Sequence, residues 1–377
     1  MSLSYAAALE YLFPRLTQIK FGLETTRELL ALVGRVANGL RPIGVEKGDR
    51  VVVYMPLGIE GVATLLACAR LGAVHSVVYA GFSVQALRSR IEDAQARVVV
   101  TADVGYRRGR RVALKGIGDE ALEGLECVRS VVVLRRERPP LELASPRELD
   151  FEDLVRRQPA HCPPAVMDSE DPLYILYTSG TTGKPKGVLH VHGGYMVGTY
   201  YHMKRFWDIK DDDVFFCTSD LGWAVGHSYI AYAPLLAGAT TLFREGAIDY
   251  PHPAVAWEIV ERYRVSVIFT APTVVRMLMR HGDDLPARYD LRSLRFFTCA
   301  GEPTSVIRSP CIRMIWLTSI RPVLLSNSRP ALTATGREPS AHLLAAPSMP
   351  KQGWTPAPRQ GAPSLPPTCA CTVAINA

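Results

Sequence analysis

Residues 50–101 read RVVVYMPLGIEGVATLLACARLGAVHSVVYAGFSVQALRSRIEDAQARVVVT, and the order of apolar runs in them sets the architecture. Residues 50–54 form a β-branched run stopped by Pro56. Residues 60–71 have helical spacing and are closed by Gly72, a residue that takes the left-handed conformation ending many helices. Residues 74–79 are a second strand, 84–94 a second helix and 97–101 a third strand. Strands that stay apolar without alternating are buried on both faces, so the rhythm predicts an α/β fold of parallel-rich sheets covered by helices. It returns as strands at 174–177, 240–243, 265–269 and 294–299, with helices at 227–236, 254–263 and 273–281.

The chain has 377 residues, 48% hydrophobic and 21% charged, enough for a large core and for two or three sub-domains. No run approaches eighteen consecutive apolar residues, and the N-terminus lacks the pattern of a secretory signal, so the sequence predicts a soluble cytoplasmic protein with no membrane contact. Its eight cysteines are scattered, without zinc-ligand spacing, and read as reduced thiols. The net charge of +7 is concentrated at one end: residues 304–377 hold seven basic residues against the single acid Glu338. The rest is nearly balanced, which argues against a nucleic-acid partner.

Residues 177–187 read YTSGTTGKPKG, between apolar runs at 173–176 and 188–191 that are expected as two inner strands. Thr178, Ser179, Thr181 and Thr182 supply hydroxyls, Gly180 and Gly183 permit close backbone approach, and Lys184 and Lys186 add positive charge. That combination suits phosphate oxygens better than it suits a solvated turn. It is not a Walker A loop, because Pro185 follows Gly183-Lys184 and no helix opens there. A second basic element, residues 105–111, places Arg107, Arg108, Arg110 and Arg111 around Gly109. From composition it is a solvated turn or a phosphate site.

The loop resembles the signature of the adenylate-forming enzymes, the AMP-dependent synthetase and ligase superfamily. Residues 48–51 (GDRV), 67–83 (ACARLGAVHSVVYAGFS), 220–229 (DLGWAVGHSY) and 270–273 (TAPT) are similar to its acetyl-CoA and propionyl-CoA synthetase branch. The resemblance covers residues 25–303. It implies an AMP-forming ligase that joins a small carboxylate to CoA through an acyl-adenylate, with ATP, Mg2+ and CoA as cofactor and co-substrates. It further implies that Thr178, Ser179, Gly180, Thr181, Thr182, Gly183 and Lys186 hold the outer phosphates of ATP. Gly301, Glu302 and Pro303 would lie against adenine, Arg107 and Arg110 would receive the CoA phosphates, and Ala271 and Asp249 would line the pantetheine path. Asp249 stands where that branch has Asn. Trp223, Ala224 and Val225 would border the acid, in a roomier and more apolar pocket than one built for acetate, fitting propionate or a slightly longer acid. His227 is read as either structural or catalytic.

The resemblance stops at Pro303. Beyond that residue the sequence shows neither the family's Tyr-Gly-x-Thr-Glu segment with its magnesium ligand, nor its ribose-binding Thr-Gly-Asp, nor its small C-terminal domain with the catalytic lysine, so no catalytic residue is assigned. Residues 304–377 hold eleven prolines without sustained periodicity, and are expected to be a disordered or non-native extension arising from a frame change or mis-joined coding segment. Residues 1–24 do not resemble the family's N-terminal region. The expected organisation is therefore an atypical segment at 1–24, a partial large domain at 25–303 and a tail at 304–377. The alternative function is a nucleotide- and CoA-binding remnant without turnover.

Overall fold

The computed structural model describes residues 26–178, 185–282 and 284–301. The segment 1–24 and the tail 304–377 lie outside them. A first helix, α1 (Thr26–Leu40), precedes β1 (Arg50–Tyr54), α2 (Ile59–Leu71), β2 (Val74–Val77), α3 (Val84–Ala94) and β3 (Val98–Ala102). The five elements after α1 follow the expected order with shifts of at most two residues, while α1 itself is not among the expected elements. Val51, Val52 and Val53 are no more than 1% exposed, as strands covered on both faces require. Gly72 closes α2 in the left-handed conformation at φ 72°, and the Ser83 hydroxyl caps α3 by accepting from the Ala86 N–H at 3.4 Å.

A short hairpin follows, β4 (Gly105–Arg107) and β5 (Arg110–Val112). Next come α4 (Leu114–Leu122), β6 (Ser130–Leu134), β7 (Glu148–Asp150) and α5 (Phe151–Arg156). The strands β8 (Pro172–Thr178) and β9 (Lys186–Val191) lead into α6 (His192–Arg205). Seven strands form one sheet in the order β7-β6-β3-β1-β2-β8-β9. All neighbours are parallel except β8 and β9, which run antiparallel. The expectation of two inner strands around the phosphate loop is corrected here. β8 is interior, but β9 is an edge strand with Lys186 to Leu189 exposed, because an antiparallel hairpin partner ends the parallel run.

The second sheet is wholly parallel, in the order β11 (Thr240–Leu242), β10 (Val214–Cys217), β12 (Val267–Thr270), β13 (Phe296–Cys299). Between β10 and β11 the chain forms α7 (Ala224–Gly226), a π-helical turn over His227–Tyr232, and α8 (Ala233–Leu236). The helices α9 (Val255–Tyr263) and α10 (Pro272–Met279) complete the crossovers. One continuous apolar core joins the two sheets, running from Val52 and Leu65 to Phe215, Val267 and Phe269. A smaller core packs α9 and α10 on the far face of the second sheet through Trp257, Val260, Ile268 and Leu278. Among the described residues no helix is long and apolar enough to cross a membrane.

Candidate functional site

In a parallel sheet all strands end on one side, and ligands bind in the crevice beyond the carboxyl ends. Each candidate segment follows such an end: the arginine hairpin follows β3, Thr178 ends β8, Trp223 follows β10, Asp249 follows β11, Ala271 follows β12 and Gly301 follows β13. Contacts bring the ends of the two sheets together. Arg136, after β6, makes a bidentate pair with Glu245, after β11, at 2.9 and 2.6 Å. Both side chains are buried, at 6% and 7% exposure. Breaking such a pair leaves an uncompensated buried charge, at a cost of about 3–5 kcal/mol, so the clamp resists loss of either partner.

Thr178 and Lys186 face each other as the last register pair of the β8–β9 ladder. The Thr178 hydroxyl donates to the Lys186 carbonyl at 3.5 Å. Both side chains are exposed at the loop end of the hairpin. Gly187 is required by close packing, since a Cβ there would lie 2.9 Å from Ile175 Cγ2. Ser179, Gly180, Thr181, Thr182 and Gly183 lie outside the described residues, as do Glu302 and Pro303. Gly301 follows β13 with φ +104°, a conformation that favours glycine. Beside it, Ala271 stands at the N-terminal end of α10, and Thr270 at the end of β12 shares a 2.6 Å hydroxyl contact with Thr218 after β10.

The basic segment is a two-residue hairpin. Arg108 and Gly109 both have positive φ, 49° and 73°, the pattern whose twist matches paired strands. This geometry sorts the four arginines. Arg107 and Arg110 are directly opposed, exposed, and without a side-chain partner among the described residues. Arg111 is held by Glu137 through two bonds of 2.7 Å. Arg108 Nη2 lies 2.8 Å from Asp249 Oδ1, and a Cβ on Gly109 would strike the Tyr250 hydroxyl at 2.2 Å. The two arginines singled out by sequence are thus the two whose donors face solvent. Asp249, itself expected beside pantetheine, faces Arg108.

Trp223 is 51% exposed and forms an aromatic group with Tyr79 at 6.0 Å and Phe82 at 6.1 Å. Ala224 is exposed and Val225 packs partly against the core. The turn carrying them is tight: a Cβ on Gly226 would lie 1.8 Å from the Asp220 carbonyl, and one on Gly222 would lie 2.8 Å from Tyr79 Cα. Asp220 is half-buried, and its carboxyl Oδ1 accepts from the Gly222 N–H at 2.9 Å. Desolvation pushes its pKa up to about 6.

His227 is fully buried, in a cluster with Tyr174 at 4.6 Å and His75 at 5.6 Å, which are themselves 5.5 Å apart. Desolvation brings its pKa down to about 4, so the ring is neutral and packed. The structural side of the sequence alternative fits this geometry. Sequence reasoning assigned no role to Tyr79, Phe82, Arg90, Asp93 and Tyr177, which connect the Trp223 turn to the end of β8. Only the aromatic pair inside 67–83 hinted at them. Among the described residues no group of three His, Cys, Asp or Glu side chains could hold a metal ion.

Residues 14–308 match the family model described as AMP-binding enzyme. The acetyl-coenzyme A synthetase of Deinococcus radiodurans is 51% identical over 280 residues, covering 74% of this chain and 43% of that protein. The acetyl-coenzyme A synthetase of Methanothrix thermoacetophila is 49% identical over 279 residues, covering 74% and 42%. The solved structure of acetoacetyl-CoA synthetase from Streptomyces lividans superposes with a TM-score of 0.67 at 27% identity, over 73% of this chain and 42% of that one. The chain spans less than half the length of the curated relatives it matches.

Proposed function

The chain belongs to the AMP-binding enzyme family, and on that premise we propose that it is the nucleotide- and CoA-binding part of an ATP-dependent short-chain acyl-CoA synthetase of the acetate and propionate class. One observation carries the reading. The candidate segments all follow carboxyl ends of strands, and the Arg108–Asp249 and Arg136–Glu245 pairs hold the two sheets with those ends together.

In the proposed reaction a carboxylate oxygen attacks the α-phosphorus of ATP, the bond to the bridging oxygen of pyrophosphate breaks, and acyl-adenylate forms. The CoA thiolate then attacks the acyl carbonyl and AMP leaves. Thr178, Ser179, Gly180, Thr181, Thr182, Gly183 and Lys186 stabilise the charge moving onto pyrophosphate, a task in which preorganised donors give large effects. Gly301, Glu302 and Pro303 border adenine. Arg107 and Arg110 take the CoA phosphates, for which planar guanidinium donors are suited. Ala271 and Asp249 border pantetheine, and Trp223, Ala224 and Val225 border the acid. Mg2+ bound with ATP would neutralise phosphate charge.

Acetate- or propionate-dependent exchange of pyrophosphate into ATP tests the reading. Exchange supports the ligase. Nucleotide binding without exchange supports instead a binding module within residues 25–303, and absence of both removes the assignment.

A further inference from the structure

Arg90, on α3, is 7% exposed, yet no carboxylate among the described residues lies within ion-pair distance of it. Its Nη1 donates to the Ala86 carbonyl of its own helix at 2.5 Å. The guanidinium sits between two rings, 4.8 Å from the centre of Phe82 and 5.6 Å from that of Tyr177. Phe82 meets Trp223 edge-on at 6.1 Å, and its carbonyl accepts from the Tyr54 hydroxyl at 3.1 Å. Tyr177 immediately precedes Thr178 in β8, and its hydroxyl donates to Asp93 Oδ2 at 2.6 Å. Asp93 lies on α3 three residues beyond Arg90.

We propose that Arg90 is a positioning residue that couples the aromatic wall at Trp223 to the phosphate end of β8, so that acid and ATP bind with interdependent affinities. An apolar side chain of similar length would fill this space without desolvating a charge. A cation between two ring faces does more than fill space, because its attraction to each face depends on the placement of the ring. A shift of Trp223 that moves Phe82 therefore changes the seat of Arg90 and, through it, that of Tyr177. This inference rests on the proposed function, which supplies the acid at Trp223 and the phosphates beside Thr178.

The test is titration of the full chain by calorimetry with α,β-methylene ATP, which stands in for ATP throughout because its adenylyl group is not transferred to the acid, with and without saturating propionate, in wild type, Arg90→Met, Arg90→Lys and Phe82→Leu. Propionate is expected to change the wild-type ATP dissociation constant by about fivefold or more, and ATP to change that of propionate by the same factor. Arg90→Met and Phe82→Leu are expected to bring the factor close to one. Arg90→Lys, which keeps a cation between the rings, retains most of it. A merely structural role would lower thermal stability and leave the factor unchanged. An unchanged factor in Arg90→Met overturns the coupling and leaves the proposed function standing, as does the absence of any factor in a wild-type chain that binds both ligands. A wild-type chain that binds no ATP overturns both. Should Arg90→Met fail to fold, Phe82→Leu and Arg90→Lys decide the matter by the same factor.

Discussion

Arg107 and Arg110 are cross-strand partners on either side of the Arg108–Gly109 turn, and both keep their guanidinium groups in solvent while Arg108 and Arg111 are bound to Asp249 and Glu137. This division follows from hairpin geometry. Residues 107 and 110 share one face of the two-residue hairpin, while Arg111 opposes Tyr106 on the other, where Glu137 reaches both.

Replacing the solvent-facing pair by alanine is expected to weaken CoA binding by about 10- to 100-fold, on the scale of charge-assisted hydrogen bonds. Dephospho-CoA should change little if the 3′-phosphate is the target. Calorimetric titration with both ligands checks this. Equal losses would direct the arginines elsewhere.

Lys186→Ala is expected to weaken ATP by about tenfold and AMP by much less, since the lysine stands at the loop end of the hairpin and would meet the outer phosphates. Competition of ATP and AMP against a fluorescent nucleotide measures the ratio. Parallel losses would count against that role.

The Trp223 turn should be intolerant of added side-chain bulk. Gly226→Ala sets a methyl group 1.8 Å from the Asp220 carbonyl and is expected to destabilise the fold by about 3 kcal/mol or more. Gly116→Ala on α4 meets nothing within 4 Å and should stabilise by about 0.5–1 kcal/mol. Urea denaturation of the two variants gives the contrast.

Acid should act through two opposed groups. His227 has its pKa lowered to about 4 by burial, so the unfolded chain binds more protons between about pH 4 and the ordinary histidine value of 6.5. Its contribution to stability is complete above 6.5 and falls as pH drops through that window. Asp220 has a pKa raised to about 6 from 3.8, so its stabilising neutral form is lost as pH rises through 6. Asp220→Asn should therefore raise stability at pH 7.5 by about 1–3 kcal/mol. The gain should shrink towards pH 4, and a denaturation series across pH measures it. A pH-independent effect would show that ionisation is not its source.

The valine runs of β1 and β3 are legible in the sequence because burial on both faces leaves an unbroken apolar signal, and Gly72 marks the end of α2. The helix α6 is not legible, because Gly193, Gly194 and Gly198 dilute its periodicity. The hairpin strands β4 and β5 read as one turn, because three-residue strands rich in arginine carry no alternation. Within the site, chemistry is legible wherever it lies in one contiguous motif. The division of labour among four adjacent arginines depends on Asp249 and Glu137, far away in sequence. The Arg90 bridge likewise unites residues from the turn after β2, from α3 and from β8 that only the fold brings together.

The central claim is that the hairpin of β8 and β9 holds the triphosphate of a nucleotide. A crystal structure of the full chain with a non-hydrolysable ATP analogue tests it most directly. The expected result is the β- and γ-phosphates seated between Thr178 and Lys186 with adenine towards Gly301. A nucleotide bound elsewhere, with nothing at the end of that hairpin, would contradict it.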